Sequence, residues 1–216
     1  MSNTHLKSIN DKNSNSMAQI LEIRRLIYNH FQSSKECQRC FIPESNADQG
    51  KGSKDKVTYP KHAAYYNSMF LIQDTAESLY GHRIKGFSLD PHEAYIEFWG
   101  VMQALTIQQE AMCELYEVVS RSKLNTKELK SWQALVVLRN ICAGHPAKKD
   151  RGGPLVRTFM GRGFGDYSLM WFEKWKEGFG TYHPRVHLGK LVDKYASEAA
   201  GVLSKTLDSM MRQWAS

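Results

Sequence analysis

Trp132-Gln133-Ala134-Leu135-Val136-Val137-Leu138-Arg139-Asn140-Ile141-Cys142-Ala143-Gly144-His145-Pro146 is a helix that is apolar nearly all round. Trp132, Leu135, Val136 and Cys142 or Ala143 share one stripe with Arg139, and Val137, Leu138 and Ile141 fill the other side. A helix with two apolar sides belongs at the centre of a helical bundle. Asn125 or Thr126 is the expected N-cap, and the helix is expected to run to about Ala143. Gly144 suits the C-cap, and Pro146 disfavours helical geometry at His145. His145 then stands off the helix end while Arg139 lies along its flank, so both side chains can reach toward one phosphate. Arginine holds phosphate charge and histidine moves a proton, a pair able to cut RNA. A purely structural reading stands beside this one. In it Arg139 pairs with a core carboxylate, because an unpaired buried charge is costly, and His145 caps terminal carbonyls. Spacing alone does not separate the two readings. Arg24 and Arg25 precede His30 at a similar interval, in mid-helix with no cap.

Working outward, the apolar spacing predicts four more long helices. Met17 to Gln32 carries Ile20, Ile23, Leu26 or Ile27, and Phe31 on one stripe. Ala63 to Tyr80 forms a second helix, closed by Gly81. Asp90-Pro91-His92-Glu93 reads as an N-cap with proline at the first helical position, opening a helix to about Ser120. A last helix spans about Pro184 to Trp214. Residues 1–16 read as a disordered tail, 43–60 as a flexible loop and 146–183 as a loop with a small insert. In that insert Leu155–Met160 and Tyr167–Phe172 are expected to pair as a hairpin around Gly161-Arg162-Gly163-Phe164-Gly165. No internal repeat is visible. The expected fold class is all-α: an antiparallel bundle of four to five helices, a single domain over 17–216, with a β-hairpin insert after the motif helix.

Composition sets limits on partners. The chain has 216 residues and a formal net charge of +7, which favours an anionic partner such as nucleic acid. No run approaches the about 18 apolar residues of a membrane span. The polar N-terminus lacks the apolar core of a secretory signal, so a cytoplasmic location is expected. Cys113 and Cys142 lie in apolar helical patterns and read as buried thiols. Cys37 and Cys40 form a C-x-x-C pair without the second pair that a zinc ribbon needs, and a helix-end pair is the preferred reading.

Arg139-Asn140, the three residues that follow, Gly144-His145-Pro146 and the preceding apolar helix resemble the signature of the HEPN superfamily. The family pattern is arginine, then a polar residue, then histidine after four to six positions. The resemblance covers roughly residues 63–145. It implies an all-α fold, often a metal-independent endoribonuclease without cofactor, and commonly a homodimer whose two motifs meet in a composite site. It further implies that His145 acts as general acid or base, that Arg139 holds phosphorane oxygens bidentately, and that Asn140 orients the histidine or a phosphate oxygen. A toxin or antiviral role, with an inhibitory protein partner, is implied by the family alone. Because some members are inactive, a non-catalytic module binding RNA, a nucleotide or a protein is the alternative function.

Other residues extend the candidate site. Gln103, Thr106, Glu110 and Cys113 form a polar seam on the third long helix, and Glu110 is either the partner of Arg139 or a second acid/base group. The competing reading is a solvated face, which covers Gln108 and Gln109 as well. Lys148, Lys149, Arg151, Arg157 and Arg162, around the glycine-rich turn, are candidate RNA contacts, with Phe164 placed to stack a base. A plain hairpin tip is the other reading of that turn. His183 and His187 lie four apart, a spacing able to hold a metal with Asp193, but Pro184 makes His183 an ordinary helix-entry residue. No metal site is assigned. Tyr, Trp and Phe elsewhere fall mostly at core spacing.

Overall fold

The computed structural model describes residues 15–41, 60–144, 155–161 and 163–214. It is mostly helical with a small amount of antiparallel sheet. Helix α1 (Asn15–Ser33) buries Ile20, Ile27 and Phe31, so its apolar stripe runs through Ile27 and leaves Leu26 exposed. The short α2 (Lys35–Phe41) is capped by Ser34, whose hydroxyl accepts the N–H of Cys37 at 3.2 Å. Phe41 at its end packs against Phe31, Tyr65 and Trp214. The two cysteines of the C-x-x-C pair face different surroundings: Cys37 is buried, whereas Cys40 is exposed and accepts the Trp214 indole N–H.

Helix α3 spans Pro60–Lys85 and does not stop at Gly81. It ends where Gly86, at φ 77°, donates its N–H to the His82 carbonyl at 2.8 Å. A mid-helix glycine costs only about 1 kcal/mol relative to alanine. The extra turn is held by tertiary contacts of His82, Arg83 and Lys85, and the charges of Arg83 and Lys85 also suit a helix C-terminus. Helix α4 (Pro91–Ser120) begins as its sequence dictates, with Asp90 Oδ1 accepting the N–H groups of His92 and Glu93 at 2.9 and 3.0 Å.

Helix α5 is shorter than expected, Lys130–Arg139, and continues as a π-helical turn over Asn140–Gly144. Neither Asn125 nor Thr126 caps it. Its first N–H groups are taken instead by Glu198 of α6 (Leu188–Gln213). That last helix starts after Pro184, which lies outside it, so His183 and His187 do not share a helical face.

Pairwise bonds give the helix directions. Along α3 and α4, Ser68 meets Glu114, Thr75 meets Gln108 and Lys85 meets Glu97, so the two run oppositely. Arg24 bonds the Met69 carbonyl and Phe31 stacks on Tyr65, so α1 runs opposite to α3. Gln108 meets Tyr195 and the Val119 carbonyl meets Gln213, so α4 and α6 run the same way.

The insert folds differently from the expected hairpin. Strand β1 (Val156–Phe159) pairs with β3 (Glu173–Lys176), and β3 pairs with β4 (Gly180–Tyr182), all antiparallel. Strand β2 (Met170–Trp171) pairs with β5 (Arg185–Val186), leaving a single bridge from Gly165 to Met170 at the glycine-rich turn. The reason is burial. Phe164, Met170 and Phe172 are core residues, and Phe164 meets the rings of Phe87 and Phe98. The segment 164–172 is therefore committed to the helices, and β1 takes the following strand as its partner. Among the described residues, no helix is long and apolar enough to cross a membrane.

Candidate functional site

Arg139 is the last residue of α5 and Asn140 the first of the π turn. A π turn winds wider than an α turn and recurs at functional sites. Here it changes the phase at which the chain leaves the helix toward residue 145. The Asn140 N–H is shared between the Val136 and Val137 carbonyls, a bifurcated bond common at helix ends.

The half-buried Arg139 side chain donates from Nη1 to Asn140 Oδ1 at 3.2 Å. This is its one hydrogen bond among the described residues, and no carboxylate there pairs with it. The guanidinium borders an open cleft of about 460 Å³ between α4 and α5, shared with Asn140, Thr106, Glu110 and Cys113. Three of the four residues of the polar seam thus line the same space as Arg139. Gln103, the fourth, is exposed and lies outside this lining.

Two glutamines of α4 prove structural. Gln108 is fully buried and Gln109 nearly so, which corrects their reading as part of a solvated face. Gln108 donates to Thr75 Oγ1 at 3.1 Å and accepts from the Tyr195 hydroxyl at 3.0 Å, joining α3, α4 and α6. Gln109 donates to the Trp132 carbonyl at 3.2 Å and so fixes α5 against α4. Sequence periodicity marks them as polar, but only their partners reveal that they lie inside.

Glu110 is exposed and makes no ion pair with Arg139. Glu110, Glu114 and Glu117 also line an adjoining cleft of about 650 Å³ beside Lys61. One flank of the Arg139 site is therefore acidic. Cys113, between the two clefts, is a poor nucleophile: burial first, then the charges of Glu110 and Glu117, raise its thiol above the ordinary range. Burial likewise pushes Cys142 up to about 12.

Of the remaining candidates, Arg157 is exposed on β1, its guanidinium 5.7 Å from the centre of the Trp175 ring. Strand β1 lies against the π turn that follows Arg139. His145, Lys148, Lys149, Arg151 and Arg162 lie outside the described residues. Phe164 is only 1% exposed, so it cannot stack a base. Most aromatic residues do fill the core, but Phe159, Trp175, Phe179 and Tyr182 are exposed. His187 bonds the Ser168 carbonyl at 2.6 Å, His183 sits 3.8 Å from Glu173, and Asp193 faces Arg83, so the three do not converge. Comparison of the chain with protein-family models, with curated proteins and with solved structures returns no match.

Proposed function

We propose that this chain is a metal-independent endoribonuclease of HEPN type, an antiparallel helical bundle that works as a homodimer with a composite site. The observation that carries the reading is the state of Arg139. Its guanidinium opens on a cleft, is steadied by Asn140, and has no carboxylate partner among the described residues. A fully buried arginine needs a paired charge, whereas this half-buried one faces no acid among the described residues. This one keeps its donor fork available for an incoming phosphate, which it can grip bidentately.

In the proposed reaction the substrate's 2′-hydroxyl attacks the adjacent phosphorus while a base removes its proton. The bond from phosphorus to the 5′-oxygen breaks, and an acid protonates that oxygen. The products are a 2′,3′-cyclic phosphate and a free 5′-hydroxyl. His145 is assigned the proton transfer, since an imidazole pKa of about 6.5 suits neutral pH. Asn140 orients the histidine or a phosphate oxygen, and Glu110, on the same cleft as Arg139, is assigned as the second acid/base group. Lys148, Lys149, Arg151, Arg157 and Arg162 are assigned to the RNA backbone.

The acidic flank of Glu110, Glu114 and Glu117 favours a second reading, a non-catalytic module whose cleft takes a protein partner. Incubating a mixed structured RNA in EDTA with wild type, Arg139→Ala and His145→Ala separates the two. Cleavage by wild type alone, leaving cyclic-phosphate ends, supports the nuclease. Intact RNA with all three proteins, each folded by circular dichroism, rejects it.

A further inference from the structure

The three-stranded sheet has aromatic side chains where a sheet that packs on a core would have its contacts covered. Arg157, Trp175 and Thr181 are paired across β1, β3 and β4, and Phe159 is paired with Glu173. Residues opposite each other, or two apart along a strand, point to the same face. One face therefore carries Arg157, Phe159 and Trp175 together, with Phe159 62% and Trp175 36% exposed. Tyr182, paired with Lys174, points to the opposite face together with Lys176, and Phe179 adds an exposed ring at the turn after β3.

Each cation of the sheet lies by a ring. Besides Arg157 on Trp175, Lys174 lies 5.6 Å from the centre of Tyr182, and Lys176 lies 4.0 Å from that of Phe179. Two carboxylates flank these cations, Glu173 on the same face as Phe159 and Glu177 just past β3. Glu177 accepts the Leu155 N–H at 3.1 Å, and Glu173 faces His183. Residues 145–187 hold eight Lys and Arg against four Asp and Glu, so this fifth of the chain carries more than half of the +7 surplus.

We infer that the face bearing Arg157, Phe159 and Trp175 is a docking face for single-stranded RNA. The two rings stack unpaired bases, which a duplex would hide, while Arg157 beside Trp175 meets phosphate. An exposed ring beside a guanidinium matches a base with its phosphate. Because β1 lies against the π turn beside Arg139, a strand held on the sheet leads toward the Arg139 cleft. The choice of RNA over other single strands rests on the nuclease reading; the stacking geometry does not.

The test is fluorescence anisotropy of a labelled 2′-O-methyl oligouridylate, which cannot be cleaved because it has no free 2′-hydroxyl. Full-length wild type should bind it more tightly than a blunt RNA duplex of equal length, and binding should weaken as salt rises. Trp175→Ala and Phe159→Ala should each lower affinity at least about fivefold, while Trp175→Phe keeps most of it. Unchanged affinity in the folded Trp175→Ala/Phe159→Ala variant overturns the inference, as does equal binding of duplex. Ring-dependent binding by a chain that cuts no RNA upholds the docking face and removes the nuclease reading alone. Cleavage by wild type with no ring-dependent binding does the reverse.

Discussion

One carboxylate oxygen of Glu198, on α6, accepts the backbone N–H of Trp132 at 2.8 Å, and the other accepts that of Ser131 at 3.0 Å. A side chain 66 residues away thus caps the helix that ends in Arg139. The bond satisfies donors that a helix start leaves open and sets a negative charge at the positive end of the helix. Glu198→Ala should cost about 1–2 kcal/mol, the range of a lost N-cap. Urea unfolding measures that loss, and cleavage should fall with it as α5 loosens. An unchanged midpoint would mean that Gln109, which holds the Trp132 carbonyl, suffices to seat α5.

Arg139→Lys keeps the charge but removes the planar fork and the geometry of its bond to Asn140 Oδ1. On the nuclease reading, cleavage should drop on the order of 10²-fold, as when one transition-state donor is lost. The folded stability should barely change, since Arg139 has no ion pair among the described residues to lose. Single-turnover rates on a short RNA decide it, and a lysine variant as fast as wild type would reduce the arginine to a bulk charge.

The parts of the fold that are local in sequence are the parts the chain discloses. Asp90-Pro91 starts α4 as its chemistry requires, and the apolar spacing locates α1, α3, α4 and the body of α6. What fails depends on distant partners. The start of α5 is set by Glu198, not by Asn125 or Thr126, and α3 passes through Gly81 because its last turn binds Tyr167, Asp193 and Glu97. The strand pairing is misread for the same reason: burial of Phe164 and Met170 removes that segment from the hairpin. At the site, the seam containing Thr106, Glu110 and Cys113 is visible as periodicity, and it lines the cleft with Arg139. That Gln108 and Gln109 are interior could be learned only from Thr75, Tyr195 and the Trp132 carbonyl.

Gln108 offers a direct measure of that hidden polar network. Gln108→Leu retains the volume but leaves the buried Tyr195 hydroxyl without an acceptor. Thr75 is less affected, because it still donates to the Leu71 carbonyl. The loss should be about 1–3 kcal/mol, the cost of one unsatisfied buried group. Adding Tyr195→Phe removes the orphaned hydroxyl, so the double variant should lose less than the sum of the two single losses. Simple additivity in chemical denaturation would show that the two side chains are not coupled.

His82 makes stability depend on pH in a predictable direction. Its Nδ1 lies 2.8 Å from the Tyr167 hydroxyl, and its Nε2 is buried 3.7 Å from Glu97. Burial lowers its pKa below the ordinary imidazole value; Glu97 opposes the shift and Lys85 adds to it. The unfolded chain, titrating near 6.5, therefore binds the proton more readily than the folded one. The stability from neutral His82 is complete above about pH 6.5 and is lost as pH falls through that value toward the lower folded pKa. Glu97 does not confuse this window. The Lys85 ammonium and the Ser88 N–H hold its carboxyl below 4.5, so its own contribution declines only in stronger acid. Urea midpoints at pH 7.5 and pH 5.5 should separate more in wild type than in His82→Gln, which has nothing to titrate there. Equal separations would place the acid sensitivity on another histidine.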